Sequence, residues 1–409
     1  MQFFSVKSVE ETTSLIDQQV KPCTEKETLP LLEALGRVLA ADIVAPEHVP
    51  PFSRSTVDGF AVRASDTFGS SETMPGFLQV VGSVKMGEQA ETPLHAGEAI
   101  SIPTGGMLPS GADSVVMIEH CENLDGLLNV YHQVAPWENV IRTGEDVQLG
   151  SIIMEQGTRL RPQELGALAS LGITHVDVYR PLRIAYFSSG DEIVPAAQKE
   201  LRPGQIRDIN SMTVGGLVRQ WGGEYIDGGI VHDNREALKQ RAEELLKQAD
   251  MLVMSGGSSV GAKDYTTEVI QELGEPGVYV HGISIKPGKP TIIANANGKP
   301  VIGLPGHPAS AMVIFQRFGK RAFQRLSGEK LETAPYMFAR STRNLHSAAG
   351  RSDYIRVRLL EKEGEWWAEP IIGKSGLIST LVQSDGLLEI AAEKEGVLQG
   401  ELAPVIRLR

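Results

Sequence analysis

The residues best suited to chemistry lie where short apolar runs stop. The run Arg183–Ser188 ends in Ser188-Ser189-Gly190-Asp191-Glu192, and Glu224–Val231 ends in His232-Asp233-Asn234. Asp250–Ser255 leads into Ser255-Gly256-Gly257-Ser258-Ser259-Val260-Gly261, with Asp264 near the next helix start, and Pro300–Leu304 leads into Pro305-Gly306-His307-Pro308. Glycines and serines at such ends offer backbone amides and hydroxyls to phosphate-type anions. Carboxylates suit a hard cation such as Mg²⁺. Each piece also has a plainer reading. Ser-Gly-Gly-Ser is a turn, Asp264 a helix cap, Asp191-Glu192 a solvated helix start, and His307 a satisfied polar side chain. Four such ends on one rim make coincidence less attractive.

A second feature is Lys286-Pro287-Gly288-Lys289-Pro290. Two prolines stiffen the backbone and the glycine allows close approach, so two cations are held on a rigid loop. That suits an oxyanion, whereas the plain reading is a surface turn with solvated lysines. Three more segments, Ser53–Val62, Ile102–Gly106 and Arg142–Asp146, would read singly as turns.

The elements that must position these residues follow from periodicity. Ser8 caps a helix over Val9–Val20, with Glu10 and Glu11 in its first turn. Leu31, Leu32, Leu35, Val38 and Leu39 predict a second helix over Leu31–Ala41. Prolines 46, 50 and 51 then make an extended connector. From Gly59 to Val134, runs at Leu78–Val84, Glu98–Pro103, Ser114–His120 and Leu127–Val134 predict an all-β insertion. Arg161–Leu171 is helical again, with Pro162 in its first turn. From Pro181 to Ser327 strands and helices alternate: the four runs above, with helices over Ser211–Trp221, Arg235–Gln248, Asp264–Leu273 and Ala309–Leu326. That pattern implies a mostly parallel sheet covered on both faces, with ligands beyond the strands' carboxyl ends. Runs at Tyr354–Leu360, Trp366–Ile371, Leu387–Ala391 and Pro404–Leu408 predict a small C-terminal β-barrel. The fold class is therefore multi-domain α/β.

Composition limits the function. The chain has 409 residues and a net charge of −12. That length implies several folding units, and that charge does not attract nucleic acid or an anionic membrane. Cys23 and Cys121 form no metal-binding cluster. No apolar run is long enough to span a bilayer, and the start carries no signal-peptide pattern. The expected compartment is cytoplasmic.

Together these segments resemble the molybdopterin molybdenumtransferase family, which includes the C-terminal domain of gephyrin. The matching stretches run in order from Ser55–Ala61 through Pro103–Gly105, Gly144–Asp146, Phe187–Glu192, Asp208–Asn210, Ser255–Gly261, Asp264-Tyr265, Lys286–Pro290 and Gly303–Pro308. The resemblance covers essentially the whole chain. It implies four domains: a discontinuous helical and extended one from 1–52 with 140–178, a β insertion at 53–139, an α/β substrate-binding domain at 179–328 and a barrel at 329–409. It also implies an elongated homodimer whose active site lies between the α/β domain of one subunit and the β insertion of the other. The implied reaction inserts molybdate into adenylyl-molybdopterin, supplied by an upstream molybdopterin adenylyltransferase, with Mg²⁺-dependent release of AMP. Asp58, Thr104, Asp146, Glu192, Asp233 and Asp264 match the catalytic positions, and Glu192, Asp233 and Asp264 are the expected metal ligands. Ser189, Gly190, Asp191, Gly256, Gly257, Ser258, Pro305 and Gly306 form the expected substrate rim. Lys286 and Lys289 match the basic loop, and Arg351 and Ser375 match C-terminal positions that reach the site. His307 stands where Asn is common, and Asn234 replaces a frequent second Asp. Two rivals remain at this point, an adenylyltransferase-like enzyme and a non-catalytic scaffold of the gephyrin type.

Overall fold

The computed structural model describes residues 6–89, 92–256, 265–330 and 336–408. Its central sheet has six strands. Glu224–Val231, Arg183–Ser189, Met251–Ser255 and Lys299–Leu304 lie side by side and parallel. Ile292–Ala296 and Pro276–His281 extend the sheet antiparallel. The four parallel strands are those the apolar runs predict; the antiparallel pair was not foreseen. Strand alternation sends Ile184 and Tyr186 into one core and Ala185 and Phe187 into another. Helix Asn210–Gln220 and the long final helix, whose middle turn at Phe315–Gly319 is a π-helix, cover the first face. Helices Arg235–Leu246 and Tyr265–Glu272 cover the second. All four parallel strands therefore present their carboxyl ends on one rim.

Helix Val9–Gln19 forms as expected. The Ser8 hydroxyl accepts from the Glu11 amide at 3.0 Å, and the Glu11 carboxylate accepts from the Ser8 amide at 2.9 Å. Its Val9 and Ile16 join the first α/β core.

The helix expected over Leu31–Ala41 does not form. The chain makes one turn there, with the Glu33 and Ala34 amides donating to the Pro30 carbonyl, and Gly36 at φ +76° leaves it. Val38 and Leu39 then bridge to Arg159 and Val178. Tertiary pairing outweighs local propensity at this point. Strand Lys26–Pro30 runs antiparallel to His175–Tyr179, and this brings Ala34 and Leu39 into a small core with Leu165 and Leu168 of helix Pro162–Ser170. Leu32 and Leu35 are left 85% and 51% exposed.

The β insertion is a six-stranded sheet in the order Ser114–Met117, Gly59–Val62, Glu98–Ile102, Gly76–Ser83, Leu127–Val130 and Cys121–Leu124. It joins the rest of the chain through adjacent antiparallel strands, Arg54–Ser55 and Val140–Ile141. The C-terminal unit is a closed barrel of Met337–Ser341, Ser352–Lys362, Glu365–Pro370, Gly386–Ile390 and Leu402–Arg407. A short strand from the α/β unit, Ile285–Lys286, adds in parallel to Ser352–Lys362, pairing Ile285 with Ser352 and Lys286 with Asp353.

At the opposite end of the sheet from the rim, Arg180 grips Asp250 with two hydrogen bonds of 2.7 and 2.8 Å, and the Arg183 amide donates to the same carboxylate at 2.7 Å. Burial alone would raise the Asp250 carboxyl, but the Arg180 and Arg183 bonds outweigh it and hold it below the usual range. Asp250→Ala should destabilise the chain by about 3 kcal/mol at neutral pH. The depressed carboxyl contributes stability above its unfolded pKa, and this is lost as pH falls through the folded value. Denaturant midpoints of wild type and variant should therefore converge in acid, below about pH 4.

Candidate active site

The four strand ends converge through hydrogen bonds among buried side chains. The Tyr186 hydroxyl, fully buried, bonds to Ser188 Oγ at 2.7 Å and also to Ser255 Oγ. Burial, and then the Asp208 charge, push this phenol far above its ordinary range, so it stays neutral and able to donate. Asn210 Nδ2 donates to Ser255 Oγ at 3.3 Å and to the Gly306 carbonyl at 3.0 Å. Asp208 accepts from the Ser211 amide at 3.1 Å and so fixes the start of that helix. Gly256 sits at φ +107°, and a Cβ there would lie 2.0 Å from the Ser189 carbonyl oxygen. Only glycine lets these two strand ends come so close. The result is a cleft of about 420 Å³, lined by Ser188, Ser189, Glu192, Gly256, Pro305 and Gly306, with His307 at its side.

Carboxylates gather beside it. Asp191 accepts from the Asp233 amide at 3.4 Å and pairs with His232 Nδ1 at 3.0 Å. Asp233 is raised above its ordinary value by desolvation, then by the charges of Asp191 and Glu192, against a hydrogen bond from Ser189. The rim thus brings Ser189, Gly190, Asp191, Glu192 and Asp233 together. Gly257, Ser258 and Asp264 lie outside the described residues. Among the described residues no group of three His, Cys, Asp or Glu side chains has the arrangement of a metal cage.

A second, larger cleft of about 1000 Å³ adjoins the first at Pro290, which lines both. The lysine loop forms one wall and the barrel the other. Gly288 has φ +114°, and a Cβ there would clash with Ile314 at 2.4 Å, so the loop is seated directly on the final helix. Lys286, Lys289, Arg351, Arg356 and Lys374 line this cleft. Ser375, also in its wall, bonds through Oγ to His307 Nδ1 at 3.0 Å, and the Ala309 amide donates to the Ser375 carbonyl at 3.0 Å. His307 is thus a second link between the two clefts, beside Pro290.

The remaining singled-out segments form a separate knot on the β insertion. The Thr104 amide donates to Asp58 Oδ1 at 2.7 Å. That bond, followed by one from the Thr104 hydroxyl, holds the exposed Asp58 carboxyl below its usual range. The Gly105 amide donates to the Ser55 carbonyl, and the Ser55 amide to the Gly106 carbonyl. The Thr143 amide donates to Ser53 Oγ at 3.1 Å, and the Asp146 amide to the Val49 carbonyl at 3.1 Å. At Gly59 a Cβ would fall 1.9 Å from the Val116 carbonyl oxygen, so the strand after Asp58 needs glycine. Among the described residues, Asp58, Thr104 and Asp146 make no hydrogen bond or ion pair with the α/β unit of their own chain. Sequence reasoning missed Tyr186 and Asp353. Each lies inside a strand, where its type carries no motif; the pairing partners that give it meaning come from distant segments.

Comparison with known proteins matches three family models along the chain. They are the "MoeA N-terminal region (domain I and II)" over residues 7–172, the "Probable molybdopterin binding domain" over 185–325 and the "MoeA C-terminal region (domain IV)" over 339–408. A protein of Methanocaldococcus jannaschii named for molybdopterin biosynthesis is 39% identical, covering 93% of this chain and 91% of its own. A molybdopterin molybdenumtransferase of Haemophilus influenzae is 35% identical, covering 97% of this chain and 98% of its own. The crystal structure of a molybdopterin biosynthesis moeA protein from Pyrococcus horikoshii superposes with a TM-score of 0.84 at 31% identity, over 98% of this chain and 99% of that one.

The crowded carboxylates carry a testable cost. A raised acid favours the folded state below its unfolded pKa and disfavours it as pH rises through the folded value. Asp233→Asn should therefore raise the thermal midpoint at pH 7 by about 1–3 °C. That gain should vanish as pH falls below about 4, near the ordinary aspartate value. Scanning calorimetry at several pH values reads both.

Proposed function

The chain belongs to the molybdopterin molybdenumtransferase (MoeA) family, and from that premise we propose that it inserts molybdate into adenylyl-molybdopterin with Mg²⁺-dependent release of AMP. It is a transferase of molybdenum cofactor biosynthesis. The observation that carries the finer reading is the meeting of two unlike clefts at Pro290, one built of strand-end amides, hydroxyls and carboxylates, the other walled by cations.

The reaction brings two anions together, so the site must supply positive charge and fixed donors. Lys286, Lys289 and Arg351 supply the charge in an otherwise acidic chain. Their cleft, with Ser375 in its wall, suits the oxyanion, and the Ser189–Gly190 and Pro305–Gly306 ends suit the nucleotide-bearing part of the substrate. The Tyr186–Ser255–Asn210 network keeps the floor of that cleft in one arrangement. Asp191, Glu192 and Asp233 fit a hard cation in kind: oxygen donors, with Asp233 desolvated and then opposed by its two neighbours' charges, so that it holds its proton more tightly than usual. Glu192 and Asp233, with Asp264, would hold Mg²⁺, which when bound would neutralise and polarise the pyrophosphate.

Asp58, Thr104 and Asp146 enter this reading from a second copy of the chain. Their three side chains are exposed and, among the described residues, make no bond to their own α/β unit, which suits a surface that completes a neighbour's cleft. The homodimer, the upstream adenylyltransferase as donor, a cytoplasmic setting and the division into 1–52 with 140–178, 53–139, 179–328 and 329–409 belong to the same proposal.

The test is a reconstituted assay following AMP release from adenylyl-molybdopterin, with molybdate and Mg²⁺ each added or withheld. Glu192→Ala and Asp264→Ala should each lower insertion at least a hundredfold, about 2.7 kcal/mol in the barrier, with thermal midpoints close to wild type. Wild-type insertion in both variants would end the metal assignment. AMP release indifferent to molybdate would end the transferase reading.

A further inference from the structure

The large cleft contains a carboxylate that the chemistry so far leaves unexplained. Asp353 is 1% exposed yet lines the cavity between the lysine loop and the barrel. Its Oδ2 lies 3.3 Å from Lys286 Nζ, and its Oδ1 lies 3.2 Å from Arg351 Nε. An acid in the wall of an anion-binding cleft is repulsive by charge alone.

We propose that Asp353 is a positioning residue, which holds Lys286 of the α/β unit and Arg351 of the barrel at a fixed spacing so that together they take an oxyanion. The inference rests on the transferase reading for the identity of that anion, not for the geometry. Lys286 and Asp353 face each other in register across a strand pair that joins the two units. The carboxylate is therefore placed by backbone pairing, not by side-chain chance. Both cations keep a free face, with side chains 57% and 41% exposed, while the carboxylate side chain between them is 2% exposed. The buried acid screens two like charges that would otherwise splay apart, and their outer surfaces stay open to the cavity. Arg351 Nε and Asp353 Oδ1 stand at ion-pair distance, yet neither has a hydrogen-bond partner. Both atoms are buried, so the guanidinium is held to the carboxylate by charge at that edge.

This role and a plain charge effect predict opposite signs. Asp353→Asn keeps the shape and makes the cleft more positive, so charge alone would tighten anion binding. Positioning requires that binding weaken. The measurement is calorimetric titration of the full chain with sodium molybdate alone, at two ionic strengths. We expect Asp353→Asn to weaken molybdate at least tenfold and Asp353→Glu to recover part of the loss. Asp353→Asn should cost less in a Lys286→Met background than in wild type, because part of the carboxylate's effect runs through the lysine and the rest through Arg351. Binding by Asp353→Asn as tight as wild type overturns the proposal. So does a loss on Asp353→Asn that is just as large in the Lys286→Met background, or a wild-type chain that takes up no molybdate. Should Asp353→Asn fail to fold, as read by circular dichroism, the neutral double variant and Asp353→Glu carry the same test. The titration needs no pterin substrate, so a chain that binds molybdate through this pair but releases no AMP would refute the transferase reading and leave Asp353 its role.

Discussion

Two residues of main chain, Ile285 and Lys286, couple the α/β unit to the barrel by pairing with Ser352 and Asp353. Much of the cationic cleft depends on that short ladder. A lysine on a loop is ordinarily a mobile, strongly hydrated charge. Here its backbone is in a strand, its loop is seated on Ile314 through Gly288, and its ammonium meets a buried carboxylate from the neighbouring unit. The Ser375–His307 bond repeats the coupling a short way off, at the point where the two clefts adjoin. Without that alignment, the barrel's cations, Arg351 and Arg356 among them, and the strand-end hydroxyls would be two surfaces on separate bodies.

The acidic side of the site follows the opposite logic. Asp233 is desolvated and stands beside the charges of Asp191 and Glu192, and both effects disfavour its ionised form. Asp250 at the far end of the same sheet shows what a purely structural carboxylate looks like: gripped by a guanidinium, bonded to an amide, and depressed in pKa. Two aspartates on one sheet, shifted in opposite directions, mark the two ends as built for different purposes.

The strand ends were legible because each apolar run stops at a polar residue or a proline, with glycine or a carboxylate close behind, and period and punctuation agree there. The parallel strands and the barrel were legible for the same reason. Leu31–Ala41 misled because five leucines and valines fit a helical face, while the pairing that recruits Leu39 comes from residues more than a hundred positions later. Strands Ile292–Ala296 and Pro276–His281 were hidden by turn-forming residues at their ends, Pro276-Gly277 and Asn295–Gly298, which read as loop. The knot of Asp58 with Thr104 was visible as motifs but not as a contact, since a backbone amide donor leaves no trace in residue type. Asp353 was invisible for a related reason: Ser-Asp-Tyr within a strand looks like ordinary surface until the neighbouring unit buries it.

The β insertion leaves and rejoins the chain through two antiparallel strands lying side by side, Arg54–Ser55 and Val140–Ile141. Its two ends are therefore already closed on each other, and bridging them with a few residues would add little loop-closure entropy. Such a module can be gained, lost or exchanged without tearing its host. An ancestor lacking it would have kept the sheet and its rim intact.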